Sequence, residues 1–289
     1  MIPVLEIGGT HVTTALVDLR GTCVVGRTRR PLDAQGSAAQ VLGAVLRCAA
    51  SPPVPPGSTW GVAVPGPFDY DKGVALFEGV GKFDSLYGVD VRAALLDGLR
   101  QGPAEAVFLN DAHAFALGEW IAGAARGHRR AAGITLGTGV GSAFLADGHA
   151  CHEGPGVPPE GRIDLVRLDG RPLEDTVSRR AIRAAYGDPQ ADVHDVAARA
   201  RAGDQRARQV LDDAFAGLGG VLGPCLAGFG ATVLVVGGSM AASFDLIGPP
   251  LAAGLGDVRI EVRTSSLAED AALIGAAHAA RPGMKRGTR

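Results

Sequence analysis

The sequence predicts an α/β protein built from two related halves with a cleft between them. Three observations predict it. Glycine-tipped hairpins at Gly8-Gly9-Thr10 and at Gly137 to Ser142 each open a run of strands and helices. Strand-like apolar runs alternate with helix-like spacing in both halves of the chain. The 289 residues suffice for two modest domains, each with a core of its own.

The elements follow in order. Val4 to Ile7 reads as a buried strand, and Gly8-Gly9 can take the positive-φ conformations of a tight turn. Val12, Thr14 and Leu16 then alternate with Thr13, Ala15 and Val17, the pattern of a return strand. Gly21 to Arg29 reads as a third antiparallel strand. Ser37 is placed to cap a helix whose apolar positions Val41, Leu42, Val45, Leu46 and Ala49 follow helical spacing. Pro52 to Gly57 is a loop, and Trp60 to Val64 is a strand ending at Pro65-Gly66-Pro67. Val91 to Leu99 reads as a helix. Ala106 to Leu109 is a short buried strand with Asn110-Asp111 at its end, and a helix runs from Ala112 to Ala125.

The second half repeats this plan. Ala132 to Leu136 is a strand, Gly137 to Ser142 a glycine-rich tip, and Ala143 to Ala146 the return strand, closed by Asp147-Gly148. Val177 to Tyr186 and Asp204 to Phe229 read as helices, the second interrupted near Gly219-Gly220. Thr232 to Val236 is a buried strand ending in Gly237-Gly238-Ser239, with a helix from near Met240. Val258 to Val262 is the last strand and Ala268 to Ala280 the last helix. Pro282 to Arg289 is a basic, polar tail expected to be mobile.

Composition excludes several classes. The net charge of −2 provides no basic surface for nucleic acid or an anionic membrane. The four cysteines, Cys23, Cys48, Cys151 and Cys225, form no CxC or CxxC pair. That argues for a reducing compartment and against a structural zinc site. No apolar run reaches transmembrane length, and the chain opens on strand-like residues rather than a leader, so a cytoplasmic location is expected.

Four places could carry chemistry. A glycine tip lets backbone N–H groups approach a phosphate with no side chain in the way, although a plain hairpin turn reads the same. Two such tips, at Gly8, Gly9 and Thr10 and at Gly137, Thr138 and Gly139, suggest two jaws on one polyphosphate. Gly237 and Gly238 set N–H groups at a helix N-terminus, an anion or nucleotide edge, or else an ordinary turn that Ser239 caps. Asn110 or Asp111 can cap the helix behind them. Alternatively, Asp111 aims a carboxylate into the cleft and accepts the proton of an attacking hydroxyl. Phosphoryl transfer needs little more, since it depends mainly on positioning and charge stabilisation. Glu160 and Glu174 are either surface charges of a polar loop or acceptors for sugar hydroxyls or an ammonium.

The motifs LEIGGTHVTTALVD, GVAVPGPFD, VFLNDAHAFALGE, GITLGTGVGSAFLADG, RPLEDTVSRRAI and VLVVGGS, in this order, resemble the ROK family of sugar kinases and repressors. The resemblance covers nearly the whole chain. It implies a two-domain actin-like, hexokinase-like ATPase fold of the ribonuclease H-like type with an interdomain cleft. Residues 1–111 would form a small N-terminal α/β domain, with the helix at 268–281 packing back on it, and residues 112–267 a large C-terminal one. It further implies ATP and Mg2+ as cofactors, a sugar as substrate and a homodimer. The first two glycine tips would bind ATP phosphates and Gly237-Gly238 would lie by the adenosine. Asp111 is similar to the family's catalytic base, and Asn110, Glu160 and Glu174 look like its sugar ligands.

This chain departs from that family at four points. Glu6 stands where Asp is usual on the magnesium side, and His11 where Lys is usual. Arg171-Pro172-Leu173-Glu174 replaces a common Gly-Cys-Leu-Glu, and Ile163 stands where a His follows the first sugar-binding Glu, with Asp164 beside it. The zinc motif is therefore absent. The resemblance then implies phosphorylation of a hexose or amino-hexose, kanosamine or glucose, at the 6-hydroxyl. The alternative is a regulatory, sugar-binding ROK protein without kinase activity. ROK repressors carry a DNA-binding helix-turn-helix before the first hairpin, for which no room is expected here.

Overall fold

A computed structural model describes residues 1–188 and 190–281, and the tail expected to be mobile, Pro282 to Arg289, lies outside the described residues. The chain divides into two compact units: Met1–Gly118 with the described residues from Glu269, and Glu119–Ala268.

In the first unit the chain runs β1 (Ile2–Ile7), β2 (His11–Asp18), β3 (Cys23–Pro31), α1 (Ala38–Ala49), β4 (Thr59–Val64), β5 (Phe68–Asp69), β6 (Val74–Ala75), α2 (Val91–Gly98), β7 (Glu105–Asn110) and α3 (Asp111–Ala122). The main sheet has the order β3-β2-β1-β4-β7. Its first three strands form an antiparallel meander, and β1, β4 and β7 are parallel. The interior strand β4 is buried from Trp60 to Val64, the continuous apolar run expected of a strand covered on both faces. Ser37 caps α1 with Gln40 reaching back to its N–H, a capping box. Both tips of catalytic interest, at 8–10 and at 110–111, stand at the ends of β1 and β7.

The second unit contains β8 (Arg130–Leu136), β9 (Val140–Ala146), β10 (His149–Ala150), β11 (Arg167–Leu168), β12 (Arg171–Pro172), α4 (Glu174–Val177), α5 (Arg179–Tyr186), α6 (Val193–Arg201), α7 (Gln205–Phe229), β13 (Val233–Gly237), α8 (Phe244–Leu255) and β14 (Glu261–Thr264). Its sheet order, β10-β9-β8-β13-β14, repeats that of the first: an antiparallel meander followed by two parallel strands. The sequence pattern of paired hairpins predicts this repetition. Its core gathers Ile134, Leu136 and Phe144 of the sheet with Phe215, Leu218 and Leu222 of α7.

Several elements differ from the sequence reading. The helix read as broken near Gly219-Gly220 is one continuous α7. A Cβ on Gly219 would lie 2.3 Å from Leu251 O, and one on Gly254 of α8 would lie 2.1 Å from Ala216 O. These glycines let two helices approach backbone to backbone, and that packing offsets their helix cost of about 1 kcal/mol each. By length and composition α7 could also cross a membrane, contrary to the expectation that no run reaches that length. Its apolar side, including Leu211, Phe215, Leu222 and Phe229, is buried in the core of the unit. The helix read over 177–186 is two, α4 and α5. They are parted at Ser178, whose Oγ accepts from Ala181 N at 3.2 Å. The last strand lies at Glu261–Thr264, later than read, and α6 has no counterpart in the sequence reading.

The last helix is preceded by a 3-10 turn at Ala268–Asp270, and α9 proper spans Ala271–Ala279 within the first unit. It has no polar face: every residue from Ala271 to Ala277 is buried, as an all-round apolar helix must be. A Cβ on Gly118 would lie 1.9 Å from Ala271 O, one on Gly275 1.9 Å from Ala114 O, and one on Gly61 2.2 Å from Ala276 O. Glycine is therefore required where α3, α9 and β4 meet.

Candidate active site

In the first unit the β1–β2 tip is closed by Gly8 N donating to His11 O at 2.9 Å. Contrary to the sequence reading, neither Gly8 nor Gly9 has positive φ. What glycine supplies here is space. A Cβ on Gly9 would have one neighbour outside the tip, Lys82 Cδ at 4.0 Å. Thr10 is exposed, with Oγ1 2.9 Å from His11 Nδ1.

At the end of β7, Asn110 and Asp111 have separate tasks. Asn110 Oδ1 accepts from Ala112 N at 2.9 Å and His113 N at 3.3 Å. Its amide donates to Tyr70 Oη at 3.0 Å, and Tyr70 donates to Val64 O at 3.3 Å. The cap of α3 therefore belongs to Asn110. Asp111 occupies the first helical position, where a carboxylate is favoured by the helix dipole, and its Oδ1 also accepts from Ala112 N at 2.9 Å.

Glu6 sits on β1 between Thr13 and Ala63 of the flanking strands. Burial, and next the negative charge of Asp111, push its carboxyl from 4.5 up to about 7. Arg27 and Arg29 of β3 act in the opposite direction, but Arg27 is paired with Glu269 and Asp270, and Arg29 with Glu269. Because the folded pKa is raised, the native state holds the proton more tightly than the unfolded chain does. Its stabilisation is complete below about 4.5 and is lost as the pH rises through about 7. At 1.36 kcal/mol per unit, this amounts to about 3 kcal/mol. Glu6→Gln should therefore raise the melting temperature at pH 8 and change it little at pH 4.5. Melting curves of the two proteins that keep a constant separation across that range would contradict the burial of a titrating Glu6.

In the second unit the tip Gly137-Thr138-Gly139 is anchored by Gly137 N donating to Gly139 O and by Arg179 N donating to Gly137 O, both at 3.0 Å. Glu174, the first residue of α4, lies over this tip: a Cβ on Gly139 would stand 2.7 Å from its Oε1. Ser239 lies beside it, its Oγ 3.6 Å from a Cβ on Gly137. The two glycine tips of this unit and Glu174 thus form one group. Gly238 is left-handed (φ 81°), and a Cβ there would lie 2.3 Å from Leu136 O. The N-cap position is Gly238 rather than Ser239, and a 3-10 turn, Ser239–Ser243, precedes α8.

Glu160 is exposed on the 3-10 turn Pro159–Gly161, with φ 57° and ψ 18°. A left-handed backbone at a residue other than glycine costs about 1–2 kcal/mol and persists where the surroundings impose it. Here Ser142 imposes it. Its buried Oγ donates to Gly161 O at 2.7 Å and accepts from Ile163 N at 2.9 Å, tying the turn to β9. Ile163 is fully buried in the core of the unit. Arg162 pairs with Asp164 at 2.6 Å and lies 4.0 Å from Glu160 Oε2.

Among the described residues, no three His, Cys, Asp or Glu side chains come together as a metal cage. Sequence reasoning missed Tyr70, Lys82 and Arg162, and the anchoring role of Ser142. Each acts on a residue it did find, but each comes from a loop or strand distant in sequence, or carries no motif.

The ROK family pattern matches residues 3–282. The chain belongs to the ROK family. A relative named glucokinase, from Thermotoga maritima, is 27% identical, over 94% of this chain and 95% of that protein. The ROK family glucokinase of Streptomyces griseus, solved with glucose and AMPPNP, superposes with a TM-score of 0.77 and 22% identity, over 98% of this chain and 99% of that one. A ROK family transcriptional regulator, a homologue of the E. coli MLC protein, also gives a TM-score of 0.77, at 19% identity over 96% of this chain and 77% of that one. The ROK fold is therefore shared by relatives named for catalysis and for regulation.

Proposed function

We propose that the chain is an ATP-dependent sugar kinase that phosphorylates a hexose or amino-hexose at its 6-hydroxyl. Asp111 accepts the hydroxyl proton as the sugar oxygen attacks the γ-phosphorus and ADP leaves. The observation that carries this reading is the division of labour at the end of β7. Asn110 satisfies the helix amides, so Asp111 is not needed as the cap. Asn110, Asp111, Glu160 and Glu174 are the proposed sugar ligands. The N–H groups of the tips at 8–10 and 137–139 are the proposed phosphate cradles, and Gly237-Gly238 the adenosine edge. The Thermotoga maritima and Streptomyces griseus relatives named glucokinase support the reaction class.

Glu6 and Asp111 fit a magnesium ion of the usual water-rich kind. Burial, and next the charge of Asp111, raises Glu6, and Mg2+ is held in such sites by one or two carboxylates and its waters. When bound, the ion supplies positive charge to the phosphates. The chain's own contribution is to hold Glu6 on a buried strand and Asp111 at a fixed helix start.

The substrate proposed is an amino-hexose such as kanosamine, with glucose the competitor, because Ile163 and Arg171-Pro172 replace the family's usual His and Gly-Cys, and Glu160 and Glu174 offer carboxylates to an ammonium. A coupled ADP-release assay across glucose, mannose, glucosamine, N-acetylglucosamine and kanosamine tests the reaction. Sugar binding without ADP release would turn the reading towards regulation, the role named for the MLC homologue. Glu174→Gln tests the substrate class. A hydrogen bond to a charged group contributes roughly 1.5–3 kcal/mol. The variant should therefore lose about tenfold or more in kcat/KM for glucose, and more still for a cationic amino sugar, which also loses an ion pair. Equal losses would show that Glu174 does not meet the amine.

A further inference from the structure

Among the described residues, leaving aside its chain neighbours, the Gly9 tip has one side chain over it. It is Lys82, whose Cδ comes within 4.0 Å of a Cβ placed on Gly9. Lys82 comes from the segment between β6 and α2, far along the chain, and that segment is tied down on both sides of it. Phe83 is 1% exposed and packs on Phe77 at 5.2 Å between ring centroids, and its N–H donates to Ala34 O at 2.7 Å. The Asp84 carboxylate accepts from Val80 N at 3.0 Å and Gly81 N at 3.1 Å, so it is occupied by the backbone of the same loop. Ser85 Oγ donates to Gly36 O at 2.7 Å. Phe83 holds a left-handed backbone with φ 60°, a conformation that the buried ring imposes on a residue that would otherwise avoid it. Among the described residues Lys82 itself has no ion-pair or hydrogen-bond partner, although it is half-buried.

A lysine stem fixed over an open, glycine-lined tip brings an ammonium to the place where backbone N–H groups receive an anion. His11, the other basic residue at the tip, has its Nδ1 engaged with Thr10 Oγ1 at 2.9 Å. Lysine is suited to the task. Its ammonium is a compact point charge on a flexible stem, able to follow a phosphate that moves during transfer.

We propose that Lys82 is a phosphate-binding residue whose ammonium meets a phosphate seated on the Gly8-Gly9-Thr10 tip, that phosphate belonging to the polyphosphate of a nucleoside triphosphate. The identity of the phosphate rests on the kinase reading above; the contact itself rests on the loop geometry.

Calorimetric titration of wild type, Lys82→Met and Lys82→Arg with AMPPNP and with AMP, each with magnesium, separates the two. Lys82→Met should bind AMPPNP roughly tenfold or more weakly, the loss expected when a charged hydrogen-bond donor is removed. Its affinity for AMP should stay within about twofold, and Lys82→Arg should recover most of the AMPPNP affinity, since it keeps the charge. Unchanged AMPPNP binding by Lys82→Met overturns the proposal. So does an equal loss for AMPPNP and AMP, which would mark damage to the nucleotide site as a whole. A wild type that shows the AMPPNP–AMP contrast but no sugar-dependent ADP release would overturn the kinase reading and leave Lys82 as a phosphate ligand. A wild type that does not bind AMPPNP would overturn both.

Discussion

Asp111→Asn should give a folded protein that binds sugar and ATP and turns over almost nothing. The amide keeps the size of the side chain but cannot take a proton from a hydroxyl. Removing a positioned general base typically lowers kcat by 10²–10⁴-fold, and that is the expected loss. Stability should barely change. The cap of α3 is held by Asn110 Oδ1, so the helix start keeps its acceptor, and the lost favourable interaction of an acidic residue with the helix dipole is about 0.3–1 kcal/mol. It also relieves Glu6, whose carboxyl is raised in part by the Asp111 charge. Sugar affinity should fall less than kcat, because the amide still hydrogen-bonds a hydroxyl. Steady-state kinetics with melting curves check all three. Retention of more than about a tenth of wild-type kcat would remove Asp111 as the base, since it lies well outside the general-base range.

How much of this was legible in the sequence follows from which interactions are local. Five strands of the first sheet and four of the second were legible because hairpin tips and period-two alternation are local signals, and they recur in both halves at 8–10 and 137–139; the two-residue β10 was too short to read. The Asn110-Asp111 pair was legible as a site but not in its assignment. Asn and Asp are equally good caps, and only the last residue of β7 decides which of the two faces the free amides. The role of the first glycine tip was misjudged for a related reason. Sequence shows that Gly8-Gly9 lack side chains but not whether the chain uses that freedom for φ or for space, and here it uses space.

Long-range packing was not legible. Gly219 reads as a helix breaker until α8 is known to lie against it, with Leu251 O 2.3 Å from where a Cβ would stand. Ser142, Tyr70 and Lys82 act across 21, 40 and 73 residues of chain, on Ile163, Asn110 and Gly9. No periodicity encodes such contacts. Glu160 lay in a stretch read as polar loop, and its left-handed backbone is a consequence of the Ser142 anchor rather than of any turn motif.

Glu119 shows the same limit, and its removal should produce the largest loss of stability. It lies on α3 where the second unit begins, is fully buried, and reads in sequence as one more polar helix position. The structure surrounds its carboxylate with donors. Oε2 accepts from Ala124 N at 2.7 Å and Ser266 Oγ at 3.3 Å, and Oε1 accepts from Leu267 N at 3.1 Å and from the Ser265 hydroxyl. A Cβ on Gly123 would stand 2.1 Å from Oε2, so a glycine is kept there to make room. Glu119 thereby fastens the turn after α3 to the segment at Ser265–Leu267, next to both points where the chain passes from one unit to the other. Glu119→Ala takes the acceptor from the part-buried Ala124 and Leu267 amides, at about 1–3 kcal/mol each, and opens a cavity at a fully buried position besides. A total on the order of 3–5 kcal/mol corresponds to a fall in melting temperature of about 10 °C for a unit of this size. Amide hydrogen exchange at Ala124 and Leu267 should accelerate well before global unfolding, because the lost bonds are local to them. An alanine variant that melts within about 2 °C of wild type, with those amides still protected, would mean that the backbone finds other acceptors there and that the buried carboxylate is not what holds these two segments together.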